Sequence, residues 1–250
     1  MEPFTLLVVI GAAGLGGCVQ GLTGFGSTVV ALPLLGLALP VRDAVAVGCL
    51  MALATNLLLI FRLHRWVNRP ALGLLVLASL PGLVAGAFVL RLAAELWLKT
   101  LLGLTVGGLG LASLCRVRLA AGPDRVFGVA AGLVAGCLGV AIGINGPPVV
   151  AWAARQAWPR PMFLATLNAY FLLAGCAIVG VQAGEGLLTP GVMGLFAAGS
   201  LAVLGGVRLG QALCGRLDDV AFRRLVSGLL VVIGVALLWQ VGAAVLARMA

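Results

Sequence analysis

Two glycine-rich segments carry the groups best suited to binding chemistry. The first reads QGLTGFGST (residues 20–28) and the second reads GVAIGINGPP (residues 139–148). Each combines glycines, which permit tight turns, with hydroxyl or amide side chains. Pro147 and Pro148 cannot continue a helix interior, because they lack the amide hydrogen and crowd the preceding turn. A helix that begins after such a break presents unpaired N–H groups and a partial positive charge, so both segments predict anion binding.

Other polar side chains lie deep in predicted membrane spans, notably Asn56 in the second and Asn168 in the sixth. They line a pathway or form interhelical hydrogen bonds, which contribute about 0.6 kcal/mol each in membrane proteins. For the glycines, the alternative to a binding site is close packing between helices. The candidate substrate-binding residues are Gly24, Gly26, Ser27, Thr28, Gly143, Asn145, Gly146, Pro147, Asn56 and Asn168.

The acidic residues all fall at predicted span ends or connections. Cation pumps place carboxylates along their path, so this distribution favours an anionic or neutral substrate held by amide dipoles and hydroxyl groups. The sequence contains no phosphate-binding loop, metal-ligand cluster or nucleophile elbow. It therefore predicts no cofactor, no metal, no ATP drive and no enzymatic activity. The seven acids are Glu2, Asp43, Glu95, Asp124, Glu185, Asp218 and Asp219.

The elements that must position these groups follow from composition. The chain has 250 residues, of which 62% are hydrophobic and 9% charged. A water-soluble surface cannot be built from so few charges, so the lipid bilayer must surround an all-α integral membrane protein. Basic residues, which give a net charge of +9, lie between apolar spans. They are read as interfacial anchors and not as a nucleic-acid-binding surface.

Charges and prolines divide the chain into about eight transmembrane helices. The first apolar stretch, residues 3–41, would form a helix of roughly 58 Å, nearly twice the hydrocarbon thickness. We therefore expect it to break at its glycine-rich motif. The other spans are predicted at residues 43–61, 71–90, 96–114, 126–151, 162–181, 190–213 and 222–247.

An internal repeat relates the two halves of the chain. Residues 12–15 (AAGL) recur at 130–133, and Gly24 matches Gly143. The predicted units are residues 1–120 and 121–250, two homologous four-span halves whose first span is broken. Four simple spans per half give a parallel repeat, whereas a first span that enters and leaves on one side gives an inverted one. The sequence leaves both open.

The basic residues also predict an orientation. With eight simple spans, nine of the 16 basic residues fall in connections on the side opposite the termini. The positive-inside rule then places both termini in the periplasm of a bacterial inner-membrane protein. The oligomeric state, including a homo-oligomer, is left open.

Six scattered cysteines include no C-x-x-C pair, which indicates neither a disulfide framework nor a zinc site. Cys18 and Cys137 occupy matching repeat positions. Small residues beside glycine are typical of tight helix contacts. The alternative is a pair of thiols that handles a sulfur compound.

The order and spacing of several motifs resemble one family over nearly the whole chain. Each half begins with a glycine-rich span, and LPVRDAVA (39–46), GGVRLG (205–210), RL (216–217) and FRRL (222–225) follow in order. This pattern resembles the sulfite exporter TauE/SafE family, also called the toluene-sulfonate uptake permease family. Many members carry three consecutive glycines in the first motif, where this chain has GFGS (24–27).

The resemblance implies an inner-membrane transporter of small sulfur-containing or organic anions, such as sulfite or sulfonates. Together with the paired breaks, it predicts a secondary transporter that works by alternating access, with a small anionic substrate. A passive channel and a thiol-dependent membrane sulfur-transfer protein are the alternatives.

Overall fold

The computed structural model describes residues 3–115, 124–156, 158–213 and 219–249, and the regular structure within them is helical. Three features of the sequence lie outside these residues, namely the predicted boundary between the halves at residue 120, Cys214 and the RL pair at 216–217. The ten helices described are α1 Pro3–Thr23, α2 Ser27–Ala38, α3 Val41–Leu63, α4 Arg69–Leu92, α5 Glu95–Leu114, α6 Asp124–Ile142, α7 Gly146–Ala153, α8 Arg160–Gly184, α9 Pro190–Leu213 and α10 Asp219–Met249.

Helix lengths separate membrane-crossing from shorter elements. Within the described residues, eight helices have at least 19 residues, while α2 has 12 and α7 has 8. Six of the long helices (α1, α3, α4, α6, α8 and α9) contain segments long and apolar enough to cross a membrane. The regular structure of the described residues is thus all helical, and the chain is a multi-pass membrane protein.

The first apolar stretch is a helical hairpin. Helix α1 ends at Thr23 and α2 begins at Ser27, as the glycine motif predicts. A Cβ built on Gly16 would lie 2.8 Å from the Ser27 carbonyl oxygen and 3.0 Å from the Ala31 Cβ. In one continuing helix, Gly16 and Ala31 would be about 22 Å apart. The chain therefore reverses direction at residues 24–26.

The second glycine motif makes the same reversal. Helix α6 ends at Ile142 and α7 begins at Gly146. The Trp152 Nε1–H near the end of α7 donates to the Asp124 carbonyl oxygen at the start of α6, at 3.0 Å. Helix α7 therefore runs back along α6, and each hairpin enters and leaves on one side of the bundle.

Glycines set the closest helix contacts. A Cβ on Gly17 would meet the Val203 backbone, and one on Gly21 would meet the Val207 backbone, so α1 and α9 run parallel. In the same way, a Cβ on Gly82 of α4 would meet the backbone of Leu133 in α6, and these two helices also run parallel. Helices α5 and α10 are antiparallel, since positions 103 and 110 meet residues 234–238 and 227–231 respectively. Without side chains at these positions, backbones pack directly, as is common between membrane helices.

These directions define two faces of the bundle. The terminal face holds the start of α1, the α2–α3, α4–α5 and α8–α9 connections, and the end of α10. The opposite face holds the α3–α4 and α7–α8 connections and the starts of α6 and α10. Thirteen basic residues are described, and nine of them lie at this opposite face, which we call the arginine-rich face. They are Arg62, Arg65, Arg69, Arg125, Arg155, Arg160, Arg208, Arg223 and Arg224.

Helices α3 and α8 pack against each other at the centre of the bundle. Residues 44–49 of α3 and 165–171 of α8 are continuously buried. A helix that is buried on all sides can carry polar groups only where they find partners or line a cavity. Asn56 and Asn168 belong to these two helices, so the fold brings them into its interior.

Candidate functional site

Each hairpin turn begins at a glycine with a left-handed backbone, and the first turn contains a second such glycine. Gly24, Gly26 and Gly143 have φ of 83°, 91° and 70°, a left-handed conformation that side-chain-bearing residues rarely adopt. The Gly24 N–H donates to the Gln20 carbonyl oxygen at 2.7 Å, and the Gly143 N–H donates to the Gly139 carbonyl oxygen at 3.0 Å. The glycines thus allow the chain to reverse at each turn while the first N–H group of the turn stays hydrogen-bonded.

Each turn leads into a helix whose N-terminus lacks a side-chain cap. Gly26, which precedes α2, has no side chain, and the side chain of Asn145, which precedes α7, does not bond to the first turn of that helix. The first N–H groups of a helix have no partner within it. Helix α2 offers these donors from Ser27 onward. In α7, Pro147 and Pro148 carry no N–H, so α7 offers fewer donors than α2.

Both turns line one small cavity, which we call the inner cavity. Its volume is about 30 Å³, on a scale where one water needs about 10–15 Å³. The described residues that line it include no charged side chain. They include Gly26, Ser27, Thr28, Gly143, Asn145 and Gly146 from the turns and helix starts, Gln20 from α1, Cys49 and Asn56 from α3, and Phe171, Gly175 and Ile178 from α8.

A buried hydrogen-bond chain fixes the orientation of one amide in this cavity. The Thr55 hydroxyl donates to Gln20 Oε1 at 3.0 Å. The Gln20 Nε2 in turn donates to Asn56 Oδ1 at 2.8 Å. All three side chains are buried. Because the Asn56 oxygen is engaged by Gln20, its Nδ2 hydrogens are the groups left to donate toward the cavity.

A larger space, the outer crevice, lies beside the first turn. It has a volume of about 350 Å³, and Leu63 and Arg160 place its mouth at the arginine-rich face. Gly24 and Asn168 lie at its inner end. The Asn168 Nδ2 donates to the Gly24 carbonyl oxygen at 3.0 Å and to the Leu164 carbonyl oxygen at 2.8 Å. Asn168 thus links the first hairpin to α8 at the inner end of the crevice.

The structure places the residues that the sequence singled out in three positions. Gly24 and Asn168 line the outer crevice, not the inner cavity. Pro147 lies in the first turn of α7 and lines neither space. The others line the inner cavity together, namely Gly26, Ser27, Thr28, Gly143, Asn145, Gly146 and Asn56.

Cys49 lines the inner cavity although its sequence context resembles helix packing. Its Sγ lies 3.5 Å from Gln182 Nε2, and both residues are buried. The pair Gly48-Cys49 gave no signal beyond a small residue beside glycine. By contrast, Cys18 and Cys137 contact glycines of α9 and α4, respectively, through their backbone atoms and do not line the inner cavity.

Comparison with known proteins identifies the family. The sequence profile described as "Sulfite exporter TauE/SafE" matches residues 9–237, which include both hairpin turns and every residue that lines the two spaces. Neither the curated proteins nor the solved structures that were compared with the chain gave a match. Because the profile covers nearly the whole chain, this protein belongs to the sulfite exporter TauE/SafE family of membrane transport proteins.

Proposed function

We propose that this protein is a secondary transporter that carries a small oxyanion of the sulfite type through the inner cavity by alternating access. One observation carries the proposal, namely that the N-termini of α2 and α7 meet at a single uncharged cavity within the bundle. Paired helix breaks at corresponding positions are typical of substrate sites in transporters.

The polar groups of the inner cavity favour an anion because they are mainly donors. The first turn of α2 supplies N–H groups and a partial positive charge. The Ser27 and Thr28 hydroxyls and the Asn56 Nδ2 add further donors. No carboxylate lines the cavity among the described residues, so nothing there repels an anion or binds a metal cation in its place.

The size of the inner cavity favours a small inorganic ion. A volume of about 30 Å³ accommodates roughly two water molecules. A compact oxyanion that has lost its hydration shell fits such a space, whereas an aryl sulfonate does not fit in this conformation. We therefore expect sulfite and similar oxyanions to be preferred over toluene sulfonate.

We further propose that residues 1–120 and 121–250 are two halves with inverted topology. A constant offset of 119 relates Gly24 to Gly143 at the turns and Pro40 to Pro159, the residues that precede α3 and α8 with nearly equal backbone angles. Each half consists of a hairpin followed by three long helices. Because the hairpin returns to its starting side, the following helices run in opposite directions in the two halves.

Helix interfaces support this inverted relation. A Cβ on Gly206 would meet the Gly14 carbonyl oxygen and the Cys18 nitrogen. A Cβ on Gly82 would meet the Leu133 carbonyl oxygen and the Cys137 nitrogen, which are the residues 119 positions later. Each half therefore packs its first helix on the fourth helix of the other half through the same contacts. An inverted repeat gives two related conformations, which alternating access requires.

The first hairpin turn is accessible from one face of the bundle and the second turn is not, and this difference supports a conformation that is open toward that face. The outer crevice reaches the first turn from the arginine-rich face. Leu164, the side chain next to Gly24, is only partly buried, whereas Leu32, Val45 and Cys49, the side chains next to Gly143, are all buried, so the place that corresponds to the crevice is filled by side chains. We propose that this conformation is open toward the arginine-rich face and closed toward the terminal face.

Charge supports an orientation for the protein in a bacterial inner membrane. Nine of the thirteen described basic residues lie at the arginine-rich face, and the positive-inside rule makes that face cytoplasmic. Both termini are then periplasmic. A cytoplasmic anion would approach through the outer crevice and leave at the terminal face, which is the direction of export.

Transport assays with purified protein in liposomes test the function. We expect saturable sulfite flux, with unlabelled sulfite on the far side accelerating the movement of labelled sulfite. Such counterflow is a property of a carrier, because the site must return to the first side. An ohmic anion conductance without counterflow would instead establish a channel, and no sulfite movement at all would refute the proposed substrate.

Two substitutions test the site itself. Ser27→Leu and Asn145→Leu fill the inner cavity with apolar volume and should abolish sulfite flux while the protein is still produced and folded. Ser200→Leu is the matched control, because Ser200 lies on α9 away from both spaces and bonds only to the Ala197 carbonyl oxygen of its own helix. Unchanged flux in the first two variants would exclude this cavity as the transport site.

A further inference from the structure

The outer crevice continues into a second depression on α9. That depression has a volume of about 160 Å³ and is lined by Leu58, Leu204 and Arg208. Leu59 and Gln211 line both spaces, so the two adjoin across these residues. Together they form one groove between α3, α8 and α9 that ends beside the first hairpin turn.

Arg208 lies on the α9 side of this groove, among apolar residues. It precedes the end of α9 by five residues, about 7.5 Å along the helix axis, and is flanked by Leu204 and Val207. Its side chain is exposed and makes no hydrogen bond or ion pair within the described residues. Arg160, the first residue of α8, lies on the opposite side of the groove.

The donors of the groove lie in its outer part. At the inner end, both amide hydrogens of Asn168 are used by the Gly24 and Leu164 carbonyl oxygens. Arg208 and Gln211 on α9 and Arg160 on α8 therefore supply the side-chain donors that line the groove. The planar guanidinium group matches an oxyanion with two parallel N–H donors, which a single amide cannot do.

We propose that Arg208, Gln211 and Arg160 form an outer binding site that the transported oxyanion occupies before it reaches the inner cavity. The inference rests on the proposed function for the direction of the route. The inner cavity carries no cation, so a charged outer site would raise the local concentration of the anion next to an uncharged one. A phospholipid phosphate shares this chemistry and is the alternative occupant.

The test compares Arg208→Gln with Arg65→Gln. Arg65 is exposed at the same face but lines neither part of the groove, so its substitution removes the same charge elsewhere. Sulfite flux from the arginine-rich face is measured against sulfite concentration in liposomes of phosphatidylcholine alone and with added phosphatidylglycerol. Loss of a charged hydrogen bond predicts a half-saturating concentration about tenfold higher in Arg208→Gln, with the maximal rate within about twofold of the original.

Three results would overturn the outer site. Equal effects of the two substitutions would mean that only the general surface potential matters. A lower maximal rate at unchanged half-saturation would place Arg208 outside substrate binding. An effect confined to liposomes with phosphatidylglycerol would identify the ligand as the headgroup of an anionic phospholipid. Arg208→Lys, which keeps the charge but not the paired donors, should recover only part of the affinity.

Failure of the proposed function is recognised separately. If the original protein moves no sulfite, the proposed substrate is wrong whatever Arg208 does. The outer site is then tested by melting the detergent-solubilised protein with sulfite, sulfate and phosphate. A rise in melting temperature that Arg208→Gln diminishes and Arg65→Gln retains supports the site, whereas equal rises in both variants refute it.

Discussion

The first and second hairpin turns each begin at a glycine with a left-handed backbone, but their surroundings differ. Gly24 and Gly143 both have positive φ and both donate to the carbonyl oxygen four residues earlier. The Gly24 carbonyl oxygen is bonded by Asn168 beside an open crevice. Gly143 is instead enclosed by Leu32, Val45 and Cys49. Position 168 corresponds to position 49 at the offset of 119, so Asn168 and Cys49 are one related pair that differs between the two surroundings.

Polar groups are also divided unequally between the two halves. In the first half, Gln20, Thr55 and Asn56 form a chain of hydrogen bonds. At the offset of 119, the second half has Gly139, Ala174 and Gly175 at these positions, and none of these residues has a polar side chain. If the two halves are related as we propose, their backbones supply two related turns, while the side chains make the first half the main source of donors. This comparison teaches that the inverted relation we propose would set the path of the chain without making the proposed binding site symmetrical.

A negative charge placed in the inner cavity should cause the largest loss of sulfite flux. Asn56→Asp keeps the shape and the acceptor that Gln20 needs, but it replaces the Nδ2 donors with a negative charge. Two like charges 4 Å apart repel by about 4 kcal/mol at an effective dielectric constant of 20, so we expect at least a 100-fold loss of sulfite flux.

Asn68→Asp provides the isosteric control for this charge change. Asn68 caps α4 by accepting from the Ala71 N–H, a task that aspartate performs equally well. Its flux should stay within about twofold of the original, because a surface charge is screened by solvent and salt. Comparable losses in both variants would contradict a specific role for Asn56.

Alanine at Gly143 should destabilise the protein more than alanine at Gly26, because the first position is enclosed by side chains and the second is not. Gly143→Ala combines a left-handed backbone cost of about 1–2 kcal/mol with overpacking of about 1–3 kcal/mol, since its Cβ would lie 2.6 Å from a Leu32 methyl carbon. Gly26→Ala incurs only the backbone cost, because its Cβ would meet nothing within 4 Å. The melting temperature in detergent should fall further for Gly143→Ala, and equal falls would argue against a sealed second turn.

Removing the Asn168 side chain should loosen only the first turn. Asn168→Ala deletes the hydrogen bond to the Gly24 carbonyl oxygen, which contributes about 1 kcal/mol and predicts roughly fivefold faster amide exchange in residues 24–30. Residues 143–149 should exchange at their original rate. Hydrogen–deuterium exchange read by mass spectrometry resolves the two segments, and acceleration in both would show that the turns move together.

The smallest effect is expected from the paired thiols. Cys18 and Cys137 contact glycines across the α1–α9 and α4–α6 interfaces and line neither space. The double variant Cys18→Ala, Cys137→Ala should therefore keep sulfite flux within about twofold, as expected for a small change of packing volume. Complete loss of flux with a normal melting temperature would support the thiol-dependent alternative.

The membrane class and the positions of both turns could be predicted from the sequence because they depend on local chemistry. A chain that is 62% hydrophobic and 9% charged cannot maintain a water-exposed surface. Glycines and prolines end helices wherever they cluster, so the breaks near residues 24–26 and 143–145 follow from residue type. The family resemblance likewise rested on the order of short motifs and is confirmed by the profile match.

Other features depend on contacts between distant residues, and only the tertiary structure decided them. Whether the chain continues or reverses after residues 24–26 depends on the contact of Gly16 with Ala31, which residue type alone does not specify. Arg208 likewise lies beside a groove that α9 forms with α3 and α8, and its position in the sequence does not specify those neighbours.

The sequence by itself determined where the helices stop and that the surrounding solvent is lipid. The tertiary structure decided which stops become turns, which turn is sealed, and that Gln20 orients Asn56 across a separation of 36 residues. The physical reason is that glycine and proline limit the backbone locally, whereas direction and burial are set by packing energies summed over helices far apart in the chain.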